Sequence, residues 1–204
     1  MPQPLRVVTG TAAAMPSHNV DTDVIMPKRF LRIITREGLS DGVFADLRFT
    51  EDGEPNVEFV LNREPWVGAR ILVVGDNFGC GSSREHAVWG LYQLGIRVLI
   101  GTSFGGIFFD NSRRNGLAAI TLDADARDRL LAAVSEPASA ELTVDLDLQR
   151  IVQGGTVIPF QMPDDIRADL LEGRDAIATT LRHADAIHHF EAAYNGGYSL
   201  CENN

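Results

Sequence analysis

Short apolar runs recur along this chain, and loops rich in glycine or polar residues separate them from stretches with helical periodicity. The clearest run is Ile-Leu-Val-Val at 71–74, which predicts a buried strand. An amphipathic stretch ending at residue 94 follows it, and the sequence Arg-Val-Leu-Ile at 97–100 predicts the next buried strand. The same order repeats with a helical stretch at 107–115 and an apolar run at 117–122. This alternation predicts parallel strands joined by helical crossovers, the β-α-β arrangement.

The two ends of the chain predict further elements around this centre. Residues 5–14 have the pattern of a first strand. Residues 142–148 alternate between apolar and polar positions, and Gly154-Gly155 turns the chain into a second strand at 156–160, which predicts an antiparallel hairpin. The remaining predicted elements are a short strand at 57–61 and helices at 27–34, 123–134, 164–171 and 175–194.

Length and composition indicate one domain. The chain has 204 residues, of which 45% are apolar, so one domain of this size buries about 70% of its unfolded surface. We therefore predict a single α/β domain at 1–194 and a flexible tail at 195–204. The net charge of −10 argues against nucleic acid or an anionic membrane as partner, because both bind basic surfaces. No long apolar run or signal-peptide pattern is present in the sequence, so we expect a cytoplasmic protein.

Residues 75–87 contain the strongest chemical signal. Their glycines let the backbone approach a ligand closely, and Ser82 with Glu85 three residues later predicts a capping box that starts a helix. Free N–H groups at a helix N-terminus bind anions, and Arg84 is suited to hold a carboxylate through two hydrogen bonds. A cation in the first turn opposes the helix dipole and requires a compensating anion. We predict a small-anion site; the alternative is a capping serine beside a solvated arginine.

The glycine spacing disfavours a nucleotide site. The glycines fall as G-x-x-x-G-x-G, no acidic residue ends the next strand, and no Gly-Lys-Ser/Thr follows. Dinucleotide-binding and P-loop motifs both require a different pattern. Ligands of β-α-β units bind at the carboxyl ends of the parallel strands, which is where we expect residues 75–83 to lie.

Residues that often bind metals are present, but they do not form complete ligand sets. An iron–sulfur cluster takes several thiolates, whereas Cys80 and Cys201 are the two cysteines of the chain. We expect Cys80 to be a small residue packed in the glycine loop. Asp21 and Asp23 lack the glycine and the glutamate of a calcium loop. We expect surface or interface positions, and not metal ligation, for three histidines near the C-terminus: His183, His188 and His189.

Four segments carry a family resemblance. They are Gly-Cys-Gly-Ser-Ser-Arg-Glu-His-Ala at 79–87, Asn-Val-Asp-Thr-Asp-Val-Ile-Met-Pro-Lys-Arg-Phe-Leu at 19–31, Ser103-Phe104 with Ile107-Phe108-Phe109 and Asn111-Ser112, and Thr-Leu-Arg-His-Ala-Asp-Ala-Ile at 180–187. In this order they resemble the aconitase-type swivelling domain, and specifically the small subunits of 3-isopropylmalate dehydratase. The resemblance extends from about residue 8 to residue 194. Four ordered motifs are more specific than any single one.

The resemblance implies a fold, a reaction and a set of site residues. The fold is a three-layer β/β/α domain, as in the aconitase C-terminal domain, with parallel β-α-β units and antiparallel strands. The reaction is the interconversion of 2-isopropylmalate and 3-isopropylmalate by dehydration and rehydration, in leucine biosynthesis. Ser82 is implied as the catalytic base, and Ser83 and Arg84 are implied to bind a substrate carboxylate. Lys28 and Arg36 belong to a segment that the resemblance places over the substrate.

The resemblance also implies a partner. A large dehydratase subunit carries a [4Fe–4S] cluster, whose iron draws off the departing hydroxyl as a Lewis acid, and this chain binds no cofactor and is inactive alone. The sequence departs from the family pattern at Gly105-Gly106 and Ala118-Ala119, where the family has larger side chains. The preferred acid is therefore open: homoaconitate, or citraconate with 2-methylmalate, are alternatives. A non-catalytic anion-binding module is a further alternative.

Overall fold

The apolar runs form a mixed sheet of seven strands in the computed structural model, which describes residues 2–32, 38–82 and 84–198. The strands are β1 (Val7–Met15), β2 (Ile71–Val74), β3 (Val98–Gly101), β4 (Ala118–Thr121), β5 (Glu141–Asp145), β6 (Arg150–Gln153) and β7 (Thr156–Pro159). The helices are α1 (Thr22–Ile25), α2 (Ala45–Arg48), α3 (Glu85–Leu94), α4 (Gly106–Arg114), α5 (Ala124–Val134), α6 (Asp164–Glu172), α7 (Ala176–Leu181) and α8 (Ala184–Tyr198). Short 3-10 segments occur at Lys28–Arg32, Leu39–Gly42, Val60–Asn62 and Pro137–Ser139.

Strand β1 joins the parallel half of the sheet to the antiparallel half. The strand order is β4-β3-β2-β1-β5-β6-β7, with β1 to β4 parallel and β5 to β7 antiparallel to their neighbours. The C-terminal part of β1 pairs with β2, where Ala12 lies opposite Ile71. The N-terminal part pairs with β5, where Val8 lies opposite Val144. Because the two neighbours use different parts of β1, the two halves of the sheet diverge from this strand.

Helix α5 fills the space that the curled sheet encloses. Leu130 of α5 belongs to the same buried cluster as Ile71 of the parallel half and Val144 of the antiparallel half. The opposite face of the parallel half, which includes Leu72, packs against α3 through Leu91. Strand β2 is therefore buried on both faces, as its uninterrupted apolar sequence predicts. The predicted α/β fold with parallel β-α-β units and antiparallel strands is confirmed.

Local capping signals fix several helix ends as predicted. Asp123 Oδ1 accepts a hydrogen bond from Ala126 N at 2.8 Å and caps α5. Gly95 ends α3 with a φ of 107°, a left-handed conformation that glycine adopts without steric cost.

Four of the predicted elements differ in the structure. Residues 57–61 form no strand: residues 57–59 form a turn, and the 3-10 segment Val60–Asn62 follows. The predicted helix at 27–34 is a 3-10 segment over Lys28–Arg32, and residues 33–37 lie outside the described part of the chain. The predicted hairpin has three strands, because Asp145 Oδ1 accepts from Leu148 N at 3.0 Å and turns the chain early. The single helix predicted over 175–194 is divided into α7 and α8.

Helix α8 continues to Tyr198, so the first four residues of the predicted tail are helical, and residues 199–204 lie outside the described chain. None of the described helices is both long enough and apolar enough to cross a membrane.

The shared core around α5 is tested by Leu130→Ala. Leu130 is 1% exposed, and we expect its truncation to lower the free energy of unfolding by about 2–5 kcal/mol, since the cavity is lined by both halves of the sheet. Urea denaturation measures this loss. Leu148→Ala is the matched control, because Leu148 is 61% exposed and its truncation should change stability by less than about 0.5 kcal/mol. Equal losses for the two variants would contradict the packing described.

Candidate active site

The loops that follow β1, β2 and β3 meet at the carboxyl edge of the parallel strands. We call residues 75–84, which follow β2, the signature loop. It remains hydrogen-bonded to both neighbours after the strands end: Gly79 N donates to Val20 O at 2.7 Å, and Gly105 N donates to Phe78 O at 2.9 Å. Isolated parallel bridges at Asp21 with Cys80 and at Phe78 with Phe104 continue the strand pairing. Residues 78–80 of the signature loop are therefore hydrogen-bonded to a neighbouring loop on each side.

Close backbone packing explains two glycines of this region. A Cβ atom at Gly105 would lie 2.4 Å from Gly79 O, which is far inside van der Waals contact. Gly79 has a φ of 74°, and a Cβ atom there would lie 2.2 Å from the ring of Phe108. The family departure at Gly105 therefore coincides with a position where a side chain does not fit.

The structure places Ser82 at the surface and corrects the predicted capping box. Helix α3 begins at Glu85, and its N-cap is Arg84, whose side chain makes no capping hydrogen bond. Gly81 has a φ of 89°, and Arg84 N donates to Ser82 O at 2.9 Å, so a turn precedes the helix. Ser82 is exposed, and its carbonyl accepts from Thr22 Oγ1 at 3.0 Å. Ser82 is thus held through its backbone, and it does not cap the helix.

Two of the predicted cations share one carboxylate. Arg84, whose side chain is 15% exposed, forms an ion pair with Asp23. Lys28 Nζ lies 3.8 Å from the other oxygen of Asp23. The anion that Arg84 requires is therefore supplied in this structure by the protein itself. Sequence reasoning considered Asp23 only as a calcium ligand, although the uncompensated charge of Arg84 was the signal that could have identified it.

Two predicted site residues cannot be placed. Ser83 and Arg36 lie outside the described residues, so their proposed contacts with a carboxylate stay predictions. Cys80 is a half-buried free thiol within the signature loop. No group of three or more His, Cys, Asp or Glu side chains in the described ranges could hold a metal ion, so these residues do not fit an iron–sulfur cluster. The three C-terminal histidines are exposed: His183, His188 and His189.

A charged network lies at the start of the signature loop. The carboxylate of Asp76 accepts from the hydroxyl of Thr102 and from Arg127 Nη1 at 2.9 Å, and it lies 3.1 Å from His18 Nδ1. The Thr102 hydrogen bond, followed by the nearby charge of Arg127, lowers the pKa of Asp76. Asp76 is therefore ionised at neutral pH. Sequence reasoning assigned no role to these residues, which come from four separate segments.

A large cavity lies elsewhere on the molecule. It has a volume of about 730 Å³ and is bounded by Phe30, Asp46 and Phe49 among others. Neither Ser82 nor Arg84 lines it. We place the candidate site at the signature loop, because the exposed hydroxyl residue and the paired cations meet there.

Comparison with known proteins shows which family this chain belongs to. Residues 3–125 match the aconitase C-terminal domain family. The chain is 50% identical over 188 residues to 3-isopropylmalate dehydratase small subunit 1 of Mannheimia succiniciproducens, which covers 92% of this chain and 93% of that protein. The chain belongs to the 3-isopropylmalate dehydratase small subunits. Small subunit 2 of Salmonella typhimurium is a second member of this small-subunit family, 49% identical over 187 residues, with 92% of this chain and 90% of that protein covered.

A solved structure agrees with the small-subunit fold. The crystal structure of 3-isopropylmalate dehydratase from Methanocaldococcus jannaschii superposes with a TM-score of 0.63 at 25% sequence identity. The superposition covers 91% of this chain and 99% of that chain. The likeness therefore extends over most of both chains.

The packing of the signature loop is tested by Gly105→Ala. The added methyl group must displace Gly79 or its own backbone, so we expect a loss of about 1–3 kcal/mol in unfolding free energy, measured by urea denaturation. Gly106→Ala is the control, because a Cβ atom at Gly106 meets nothing within 4 Å. If both variants were as stable as the parent, the close contact between the two loops would be absent in solution.

Proposed function

We propose that the chain is the small subunit of a 3-isopropylmalate dehydratase, a hydro-lyase that interconverts 2-isopropylmalate and 3-isopropylmalate in leucine biosynthesis. The observation that carries this proposal is the meeting of Ser82, Arg84 and Lys28 at one edge of the sheet, in a chain whose relatives have this name. The designation "small subunit" implies a large-subunit partner. An active enzyme on this proposal is the assembled pair.

Ser82 is the proposed base. Dehydration removes a proton from a carbon next to a carboxylate, and a serine hydroxyl is too weak a base unless donors stabilise its alkoxide. Ser82 Oγ belongs to an exposed residue just before α3, and the side chain of Arg84 at the N-cap makes no capping hydrogen bond to the first turn. The dipole of α3 favours negative charge at this end of the helix. Ser82 Oγ would take the proton in one direction and return it in the other.

Arg84 and Lys28 are the proposed carboxylate ligands. A guanidinium has several N–H donors, so Arg84 can keep its pair with Asp23 and still bind a substrate carboxylate. Lys28, whose side chain is 76% exposed, adds a second positive charge near the other carboxylate oxygen of Asp23. In a chain with a net charge of −10, this local concentration of cations is what attracts a dianionic acid. Ser83 and Arg36 complete the proposed set of binding residues.

The partner is proposed to supply the [4Fe–4S] cluster. Such a cluster provides Lewis-acid assistance to a departing hydroxyl group when it is bound. The described residues of this chain contain no ligand set for it, so the ligands would come from the large subunit. This chain's own contribution is the base, the carboxylate ligands and the loop that holds them.

Ser82→Ala tests the proposed base. In the complex co-expressed with the large subunit, we expect kcat for 3-isopropylmalate to fall by at least ~100-fold with assembly unchanged, because a general base contributes on this scale. Ser135→Ala is the control, since Ser135 is exposed at the end of α5. Retention of full activity by Ser82→Ala would exclude Ser82 as the base. Activity of the parent complex on 2-methylmalate or homoaconitate alone would instead change the proposed substrate.

Arg84→Lys tests carboxylate binding. Lysine keeps the charge but loses the planar fork, so we expect KM to rise by about 10-fold or more, equivalent to about 1.4 kcal/mol. Steady-state kinetics of the assembled complex measure the change. Arg113→Lys is the control, because Arg113 pairs with Asp110 on the surface of α4. A KM equal for both variants would argue against a direct contact between Arg84 and the substrate.

A further inference from the structure

Asp76 lies six residues before Ser82, where the signature loop leaves β2. We propose that Asp76 is a positioning residue for the signature loop and that Arg127 of α5 holds its carboxylate in place. Because the effect on catalysis is measured through Ser82, this inference rests on the proposed function.

The contacts of Asp76 join the signature loop to three other segments. Its backbone N–H donates to His18 Nδ1 at 3.1 Å, and its carbonyl accepts from Asn19 N at 2.8 Å, so it is tied to the loop after β1. Its carboxylate accepts from Thr102, which directly follows β3, and from Arg127. One residue thus connects the start of the signature loop to the loop after β1, to the residue that follows β3 and to α5.

Arg127 is unusual in its burial. Its side chain is 5% exposed, and it is the one charged residue classed as buried among those the structure describes. Its Nη1 donates to Val74 O at 3.2 Å as well as to Asp76, and its Nε donates to Asp128 Oδ1 at 2.6 Å. Burying a charge is costly unless it is paired, and removing one partner leaves the other unpaired. If Arg127 had a structural role alone, that role would be to hold α5 against the end of β2 through its bond to Val74 O.

The backbone between Asp76 and Ser82 is held by further hydrogen bonds to neighbouring loops. Asn77 N donates to Ser103 Oγ at 2.9 Å, and Gly79 N donates to Val20 O at 2.7 Å. Cys80 O then accepts from Thr22 N at 2.9 Å. Loss of the Asp76 contacts therefore removes one of the anchors that hold the loop before Ser82, whereas the Arg84 side chain keeps its own pair with Asp23.

The ionisation of Asp76 agrees with this role. The groups that face its carboxylate are the hydroxyl of Thr102, the guanidinium of Arg127 and the ring of His18, and the Thr102 hydrogen bond, followed by the charge of Arg127, lowers its pKa. The carboxylate therefore stays charged, and its bonds stay formed, throughout the neutral range.

The test uses Asp76→Asn and Arg127→Met, singly and together, in the assembled complex. We expect each single change to lower kcat by at least ~10-fold with KM within about threefold, because a loosened loop misplaces Ser82 while the Arg84 side chain keeps its ion pair with Asp23. The double variant should lose little more kcat than the worse single variant, since both changes act through one contact.

Arg127→Lys keeps the positive charge and should recover part of kcat. Arg129→Met is the control, because Arg129 is an exposed arginine of the same helix.

Amide hydrogen exchange of the full chain gives a readout that does not depend on activity. We expect exchange in the signature loop to rise by about 10-fold or more in both single variants, with β5 and β6 unchanged. Uniformly faster exchange, or a lower melting temperature with kcat unchanged, would overturn the positioning role and leave a structural one. If Arg127→Met does not fold, Asp76→Asn decides by the same criteria. A parent complex without dehydratase activity would reject the proposed function, while the exchange measurement would still test the positioning role.

Discussion

The structure depends on main-chain hydrogen bonds that continue past the ends of the parallel strands. The signature loop lies between the loops after β1 and β3, and it is bonded to both. Ordinary surface loops do not have such support on two sides. Glycine is required at 79 because a Cβ atom there would overlap the ring of Phe108. It is required at 105 because a Cβ atom there would overlap the carbonyl oxygen of Gly79. The position of the Ser82 residue is therefore set by the sheet.

The divided pairing of β1 joins the two halves of the sheet. One part of β1 forms the parallel half, whose carboxyl ends carry the three loops, and the other part begins the antiparallel half. Helix α5 occupies the concave side of the curled sheet and brings Arg127 under the end of β2. The same helix thus fills the core and contacts the base of the signature loop.

Much of the fold could be predicted from the sequence because its signals are local. The buried run at 71–74, the cap at Asp123 and the glycine stop at 95 each depend on neighbouring residues only. The helix start was wrong because Thr22, sixty residues away, bonds to Ser82 O and a turn takes the place of the cap. The short turn after Asp145 also concealed a strand boundary, since the alternation of apolar and polar residues continues through it.

The residue types of the candidate site could be predicted, but their pairing could not. The sequence identifies Arg84 as a cation in need of an anion, yet it does not indicate that Asp23 supplies one from sixty-one residues away. The network around Asp76 is assembled from four segments and has no local signature. Such contacts are products of the tertiary fold.

The central claim is that the signature loop presents a base and a carboxylate-binding arginine that need a second subunit to become an active site. The most direct measurement is a crystal structure of the small and large subunits together with bound 3-isopropylmalate. We expect Ser82 Oγ to face the carbon that loses its proton and the Arg84 guanidinium to bind a substrate carboxylate. A substrate that contacts no residue of the signature loop would contradict the claim.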